Sequence, residues 1–231
     1  SITQTGVVSF PVAGTTIGSL DIGHGLGGDT NSVAIGPNAL NSSLSTSLHN
    51  TAVGNNALTA IAHADGDENT AVGSGAGDAI VSGARNTTVG QGSLSAACGN
   101  DNTALGKSAL NVYTGSNATA VGKDALAACT TGGANTALGS NALDACIDGA
   151  NNTALGHAAL STDCNSNNTS AGYKAGMSFT GDDVTLVGSE AAVKATSANY
   201  LTSVGRGSFS ELVNQASNTG LGWKAGQNTI G

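Results

Sequence analysis

Aromatic residues make up only 3% of this 231-residue chain, and charged residues only 10%. Large rings fill most conventional interiors, so a thick multilayered core is excluded. Lys and Arg number just seven, spread thinly, and the net charge is −8. That leaves no basic stripe for phosphates, so nucleic acid is not the expected partner. No apolar run reaches the roughly 18 residues of a membrane-spanning helix. Ser1 has no secretory signal ahead of it, which reads as a processed product or an excised segment.

Catalytic signatures are absent as well. There is no HExxH, no phosphate loop set between a strand and a helix, and no Ser/His/Asp set in a shared register. CxxC pairs are missing, and His24, His49, His63 and His157 fall at unrelated positions, so neither a metal nor a cofactor is expected. The expectation is a protein that is not an enzyme.

What the chain has in abundance is one phrase. Asn50-Thr51-Ala52-Val53-Gly54 returns as Asn102-Thr103-Ala104-Leu105-Gly106 and as Asn135-Thr136-Ala137-Leu138-Gly139. Twelve equivalent glycines, from Gly36 through Gly54 and Gly73 to Gly222, lie 16 to 19 residues apart. Thr stands three residues before the glycine in eleven of the twelve copies, Val33 being the exception. A branched apolar residue stands directly before it except at Ala171, and Ala or Ser stands three after it, usually followed by Leu. A repeat of this length predicts a solenoid that grows by adding coils.

Apolar residues alternate within the phrase, and Gly and Asn disfavour helix, so each copy predicts a short Thr-Ala-Val strand, a tight glycine bend, a second short Ala-Leu strand and a polar return loop. The expected fold is an all-β parallel β-solenoid of about twelve coils. Stacked at roughly 4.8 Å per coil, twelve coils make a rod about 50–60 Å long. A lead-in over residues 1–28 and an exit segment over 227–231 flank the repeat domain at 29–226. The Asn column at Asn50, Asn69, Asn86 and Asn102 reads as a ladder of stacked amides.

Alternation also separates two faces: Thr51 and Val53 point one way, Asn50, Ala52 and Gly54 the other. If Ala lies inside the coil, the coil is flat and its Val/Leu row must be buried against something else, most naturally a symmetry mate. If Val lies inside, the molecule is complete as a monomer.

Cys129, Cys146 and Cys164 fall in successive coils at one structural position, which places them within reach of a disulfide. The alternative is a column of small buried hydrophobes, to which Cys98 also belongs. The residue directly after each glycine varies freely and is expected to face solvent. There Tyr173-Lys174 and Trp223-Lys224, with Arg206 between them, are the candidate receptor contacts, against the plainer reading of rings packed over a neighbouring coil.

Asn31-Ser32-Val33-Ala34-Ile35-Gly36-Pro37-Asn38-Ala39-Leu40 resembles the head repeat of YadA-type trimeric autotransporter adhesins. Later copies, such as Asn135 to Leu143, are closer to the NTAVGxxAL repeats of bacteriophage tail-fibre proteins. The resemblance covers about residues 29–226 and implies a left-handed β-roll and a homotrimer. It implies a structural and adhesive fibre segment on a virion tail fibre or a bacterial surface, extracellular, whose partners are its own copies and a receptor, glycan or protein, on a host or neighbouring cell. Two other functions fit parts of the pattern: an ice-binding solenoid, from the Thr column, and more remotely a hexapeptide-repeat acyltransferase, from Ile35-Gly36 followed by Ala39-Leu40.

Overall fold

A computed structural model describes residues 15–17, 20–23, 31–42, 48–213 and 216–227. Gln227 apart, the exit segment lies outside these residues, as does most of the lead-in. Twelve three-residue strands, from β3 (Val33–Ile35) to β14 (Thr219–Leu221), pair in parallel in sequence order. Each is the phrase Thr-Ala-Val or a variant of it, and like residues pair: Thr136 with Thr153, Ala137 with Ala154, Leu138 with Leu155. The chain is therefore a parallel β-solenoid of about eleven turns, with no helix among the described residues. Two lead-in strands, β1 (Thr15–Ile17) and β2 (Leu20–Gly23), pair antiparallel with each other and with β3. They cover the first edge of the sheet, which would otherwise offer unpaired backbone groups.

The glycine after each strand is required twice over. Gly139 has φ +139°, and a Cβ placed on it would lie 2.5 Å from the Gly156 carbonyl oxygen of the next coil. No side chain fits there, and the same close approach recurs from coil to coil along the column. Backbone packs directly on backbone at this corner.

The expected second strand is not one. Ala-Leu belongs to a turn in which alternate residues take left-handed conformations: Asn141 has φ 57° and Leu143 φ 51°, and equivalent residues repeat this in every coil. A bulky residue with positive φ is strained in isolation. Here the alternation aims successive N–H groups in opposite directions along the rod. Asn141 donates to the Lys123 carbonyl in the preceding coil at 3.0 Å, and Leu143 to the Ala159 carbonyl in the following coil at 3.0 Å. The turn bonds to its neighbours as a strand does while reversing the chain, and the Leu side chain is carried into the core.

The interior is narrow. The middle residue of each strand points inward and is usually Ala, as at Ala52, Ala104 and Ala137, all fully buried. It meets the Ala and Leu of the turn, such as Ala57 and Leu58, and a third apolar column seven or eight residues after the glycine. Volume is balanced between adjacent coils. Gly176 occupies a turn position normally held by Leu, and Leu186 replaces Ala in the next strand; a Cβ on Gly176 would collide with the Leu186 side chain.

Asparagine ties the coils together, though not by amide stacking. The Asn69 Oδ1 accepts from the Asn86 backbone N–H at 2.9 Å, and its Nδ2 donates to the Gly83 carbonyl at 2.8 Å. Asn152 does the same with the Asn168 N–H at 2.9 Å and the Asn165 carbonyl at 2.7 Å. Each buried side chain clamps the backbone of the coil that follows, satisfying a donor and an acceptor at the mouth of its return loop. At Ala118 the column lacks its amide, and Tyr113 compensates. Its hydroxyl lies 2.9 Å from the Ser116 carbonyl and 3.2 Å from the Gly132 carbonyl, the position an Asn at 118 would reach, and its one hydrogen serves either acceptor.

Asn69→Ala leaves a buried N–H and a buried carbonyl without partners, so it is expected to cost about 2–4 kcal/mol in thermal or urea unfolding. Asn69→Asp keeps the acceptor but sets a carboxylate against the Gly83 carbonyl. Burial raises that carboxyl's folded-state pKa above its unfolded value, so its stability is greatest at low pH and lost as pH rises through the folded pKa. Asn69→Asp is therefore expected to be less stable than Asn69→Ala at pH 7 and to recover toward pH 4.

Candidate functional site

With Ala inside, the strand's other two residues face outward. Thr and the branched aliphatic of each phrase form two adjacent files on a flat face, and the aliphatics are substantially open: Leu138 is 52% exposed, and Val72, Val89, Leu155 and Val187 are also exposed. An aliphatic row of this length is not an ordinary solvated surface.

The residue after the glycine lies at the outer corner, where the next residue's left-handed conformation turns the chain. Pro37, Asn55, Gln91, Lys107 and Lys123 are exposed there, as the variability of the position predicts. Further along, His157, Tyr173, Arg206 and Trp223 occupy the same corner. The Tyr173 and His157 rings stack at 5.6 Å with an interplanar angle of 22°. Lys174 Nζ lies 5.2 Å from the centre of the Tyr173 ring, and Lys224 Nζ lies 5.3 Å from that of Trp223. Tyr173 packs over the His157 ring of the neighbouring coil and is still 47% exposed, and Trp223, on the last coil described, is 71% exposed.

All five residues singled out from the sequence are brought onto this one edge. Lys107, Lys123 and His157 share it and were not picked out; tallying charge by register position reveals them. Lys107, Lys123, Lys174, Arg206 and Lys224 are five of the chain's seven cations. The remaining two sit elsewhere and are paired across coils, Arg85 with Asp101 at 2.7 Å and Lys194 with Glu211 at 2.7 Å. The Asp101 carboxyl is lowered and the Arg85 guanidinium raised, each by the hydrogen bond they share.

The cysteines do not form the bridge that their stacking allows. Cys98, Cys129, Cys146 and Cys164 are free, buried thiols in the third apolar column, alongside Ile61, Ile80, Tyr113 and Phe179. Two of them have backbone acceptors: Cys129 donates to the Gly132 carbonyl at 3.7 Å and Cys146 to the Gly149 carbonyl at 3.6 Å. Burial pushes the Cys98 thiol up to about 12. These thiols act as small hydrophobes. Among the described residues no three His, Cys, Asp or Glu side chains converge to hold a metal, and no helix is long and apolar enough to cross a membrane.

No family model, curated protein or solved structure matches the chain.

Ellman's reagent is expected to leave all four thiols unreacted in the native protein and to count four per chain in denaturant without reductant. Two or fewer in denaturant would reveal a disulfide.

Proposed function

We propose that the chain is a structural and adhesive rod segment that works as a homotrimer, in a phage tail fibre or a bacterial surface adhesin, and so outside the cell. One observation carries this reading. Ala fills most coils and the Val/Leu file is turned outward, a branched aliphatic in eleven of twelve copies, six of them exposed and five half-buried. Burying one such side chain contributes roughly 1.5–3 kcal/mol, so a file of them drives association strongly. Three copies around a shared axis bury all three files together, and the Thr file beside them supplies hydroxyls to the same interface. Eleven rises of about 4.8 Å give a rod of about 53 Å, which separates a recognition element from its support by that distance.

Light scattering at micromolar concentration is expected to give three times the chain mass. Leu138→Asp sharpens the measurement. On a monomer this exposed position tolerates the change within about 0.5 kcal/mol, whereas in a trimer three carboxylates meet at the axis and the assembly dissociates. A monomeric parent protein, unchanged by Leu138→Asp, would overturn the proposal.

The outward Thr file, at one residue per coil on a flat sheet, also suits an ice-binding face, and its exposure in the single chain favours keeping that reading. Thermal hysteresis with shaped ice crystals would support it; a trimer that buries the file and gives no hysteresis would remove it.

A further inference from the structure

We infer that the outer-corner ridge, and above all the stretch from His157 to Lys224, binds a linear acidic polysaccharide lying parallel to the rod. This rests on the reading of the chain as an adhesive rod and names its ligand class. The chain is acidic, yet the two register positions after the glycine collect five cations against two carboxylates, Asp124 and Glu190. Carboxylates gather instead on the return loops, at Asp101, Asp148, Asp163, Asp182 and Asp183. A structural role for the cations predicts ion pairs of the kind that Arg85 and Lys194 make. On the ridge only Lys123 pairs, with Asp124 at 2.9 Å; Lys107, Lys174, Arg206 and Lys224 have no carboxylate partner among the described residues.

Rings accompany the charges. The His157–Tyr173 stack and the Trp223 ring present apolar faces beside Lys174, Arg206 and Lys224, the combination that recognises a sugar ring bearing an anion. Backbone bonds hold these corners in register: Lys174 donates to the His157 carbonyl at 2.9 Å, Glu190 to that of Tyr173 at 2.8 Å, and Lys224 to that of Arg206 at 3.0 Å. Tyr173 and Trp223 are three coils apart, about 14 Å along the axis.

The geometry selects among anionic partners. The ridge is two residues wide, too narrow for the roughly 800 Å² that a stable protein partner buries on each side. Its cations are also sparse. From Lys107 to Lys224 they span seven rises, about 34 Å, in four intervals that average about 8 Å. A nucleic-acid strand carries a phosphate every 3.4 Å or so, and the surrounding carboxylates repel that density of charge. A chain with one carboxylate per sugar or per few sugars matches the spacing.

The test is titration of the purified full chain with polysialic acid and with polygalacturonate, against fully methyl-esterified polygalacturonate and a thymidine oligonucleotide. At least tenfold tighter binding of one of the two acidic polymers than of the ester and the oligonucleotide, weakening with added salt, is expected. The double variant Lys174→Glu, Lys224→Glu is expected to weaken that binding more than tenfold, and Trp223→Ala about tenfold. Lys194→Glu, off the ridge, leaves it unchanged. Failure of both acidic polymers, equal binding of the ester, preference for the oligonucleotide, or equal loss in Lys194→Glu would overturn the inference. Light scattering on the same samples separates the two ideas: a trimer that binds neither acidic polymer removes only the ligand, while a binding monomer removes only the trimeric rod.

Discussion

The close approach of backbone to backbone at the glycine corner is the constraint on which the rest depends. Once Gly139 sits within a side chain's reach of Gly156, the coils are locked at strand spacing, and every other position must repeat in step. A one-residue slip would place a Cβ against a carbonyl and would also turn the outward files inward. The variation in coil length, from 16 to 19 residues, is confined to the return loops. Cooperative stacking of this kind lets a chain poor in aromatics fold at all. Stability is a sum of interfaces between like neighbours, and each needs only small side chains.

Much of this was legible because a solenoid repeats its evidence. The strand, its register, the glycine and the solvent-facing corner follow from one aligned column each. The turn was misread for a physical reason. An apolar Ala-Leu pair after a bend suits a strand, but here left-handed alternate residues let Ala142 and Leu143 both point into the core, which successive strand residues do not. The available signal lay two residues after the glycine, where Asn38, Asn56, Gly75, Gly92, Asp124, Asn141 and Gly207 are residue types that tolerate positive φ. Gly77 and Gly176, replacing Leu two positions later, repeat the hint. The asparagine column was recognised as a ladder, but its partners were not. A side-chain amide can bond its own kind or a backbone, and only the depth of the return loop decides between them.

Two departures from the repeat are compensated in pairs. Tyr113 reaches toward the carbonyl that Ala118 leaves without an amide, and Leu186 fills what Gly176 vacates. Such pairs lie in adjacent coils, so the unit of compensation is the interface between coils and not the coil. The three successive cysteines fit the same logic. The narrow column that holds Ile61, Ile80, Tyr113 and Phe179 also holds these small thiols.

The outside of the rod obeys a different division. The strand face is uniform because strands stacked in parallel register pair like residues from coil to coil. The corner is free of that requirement, since nothing stacks on its side chains except the corner above and below. Freedom alone would scatter charge at random. Instead, five of seven cations and the sole Trp share two register positions on a chain of net charge −8. Like charges stacked at coil spacing repel, so this arrangement costs stability in the isolated rod. On the proposed reading, this column opposes the fold because it serves the acidic polysaccharide that lies along it.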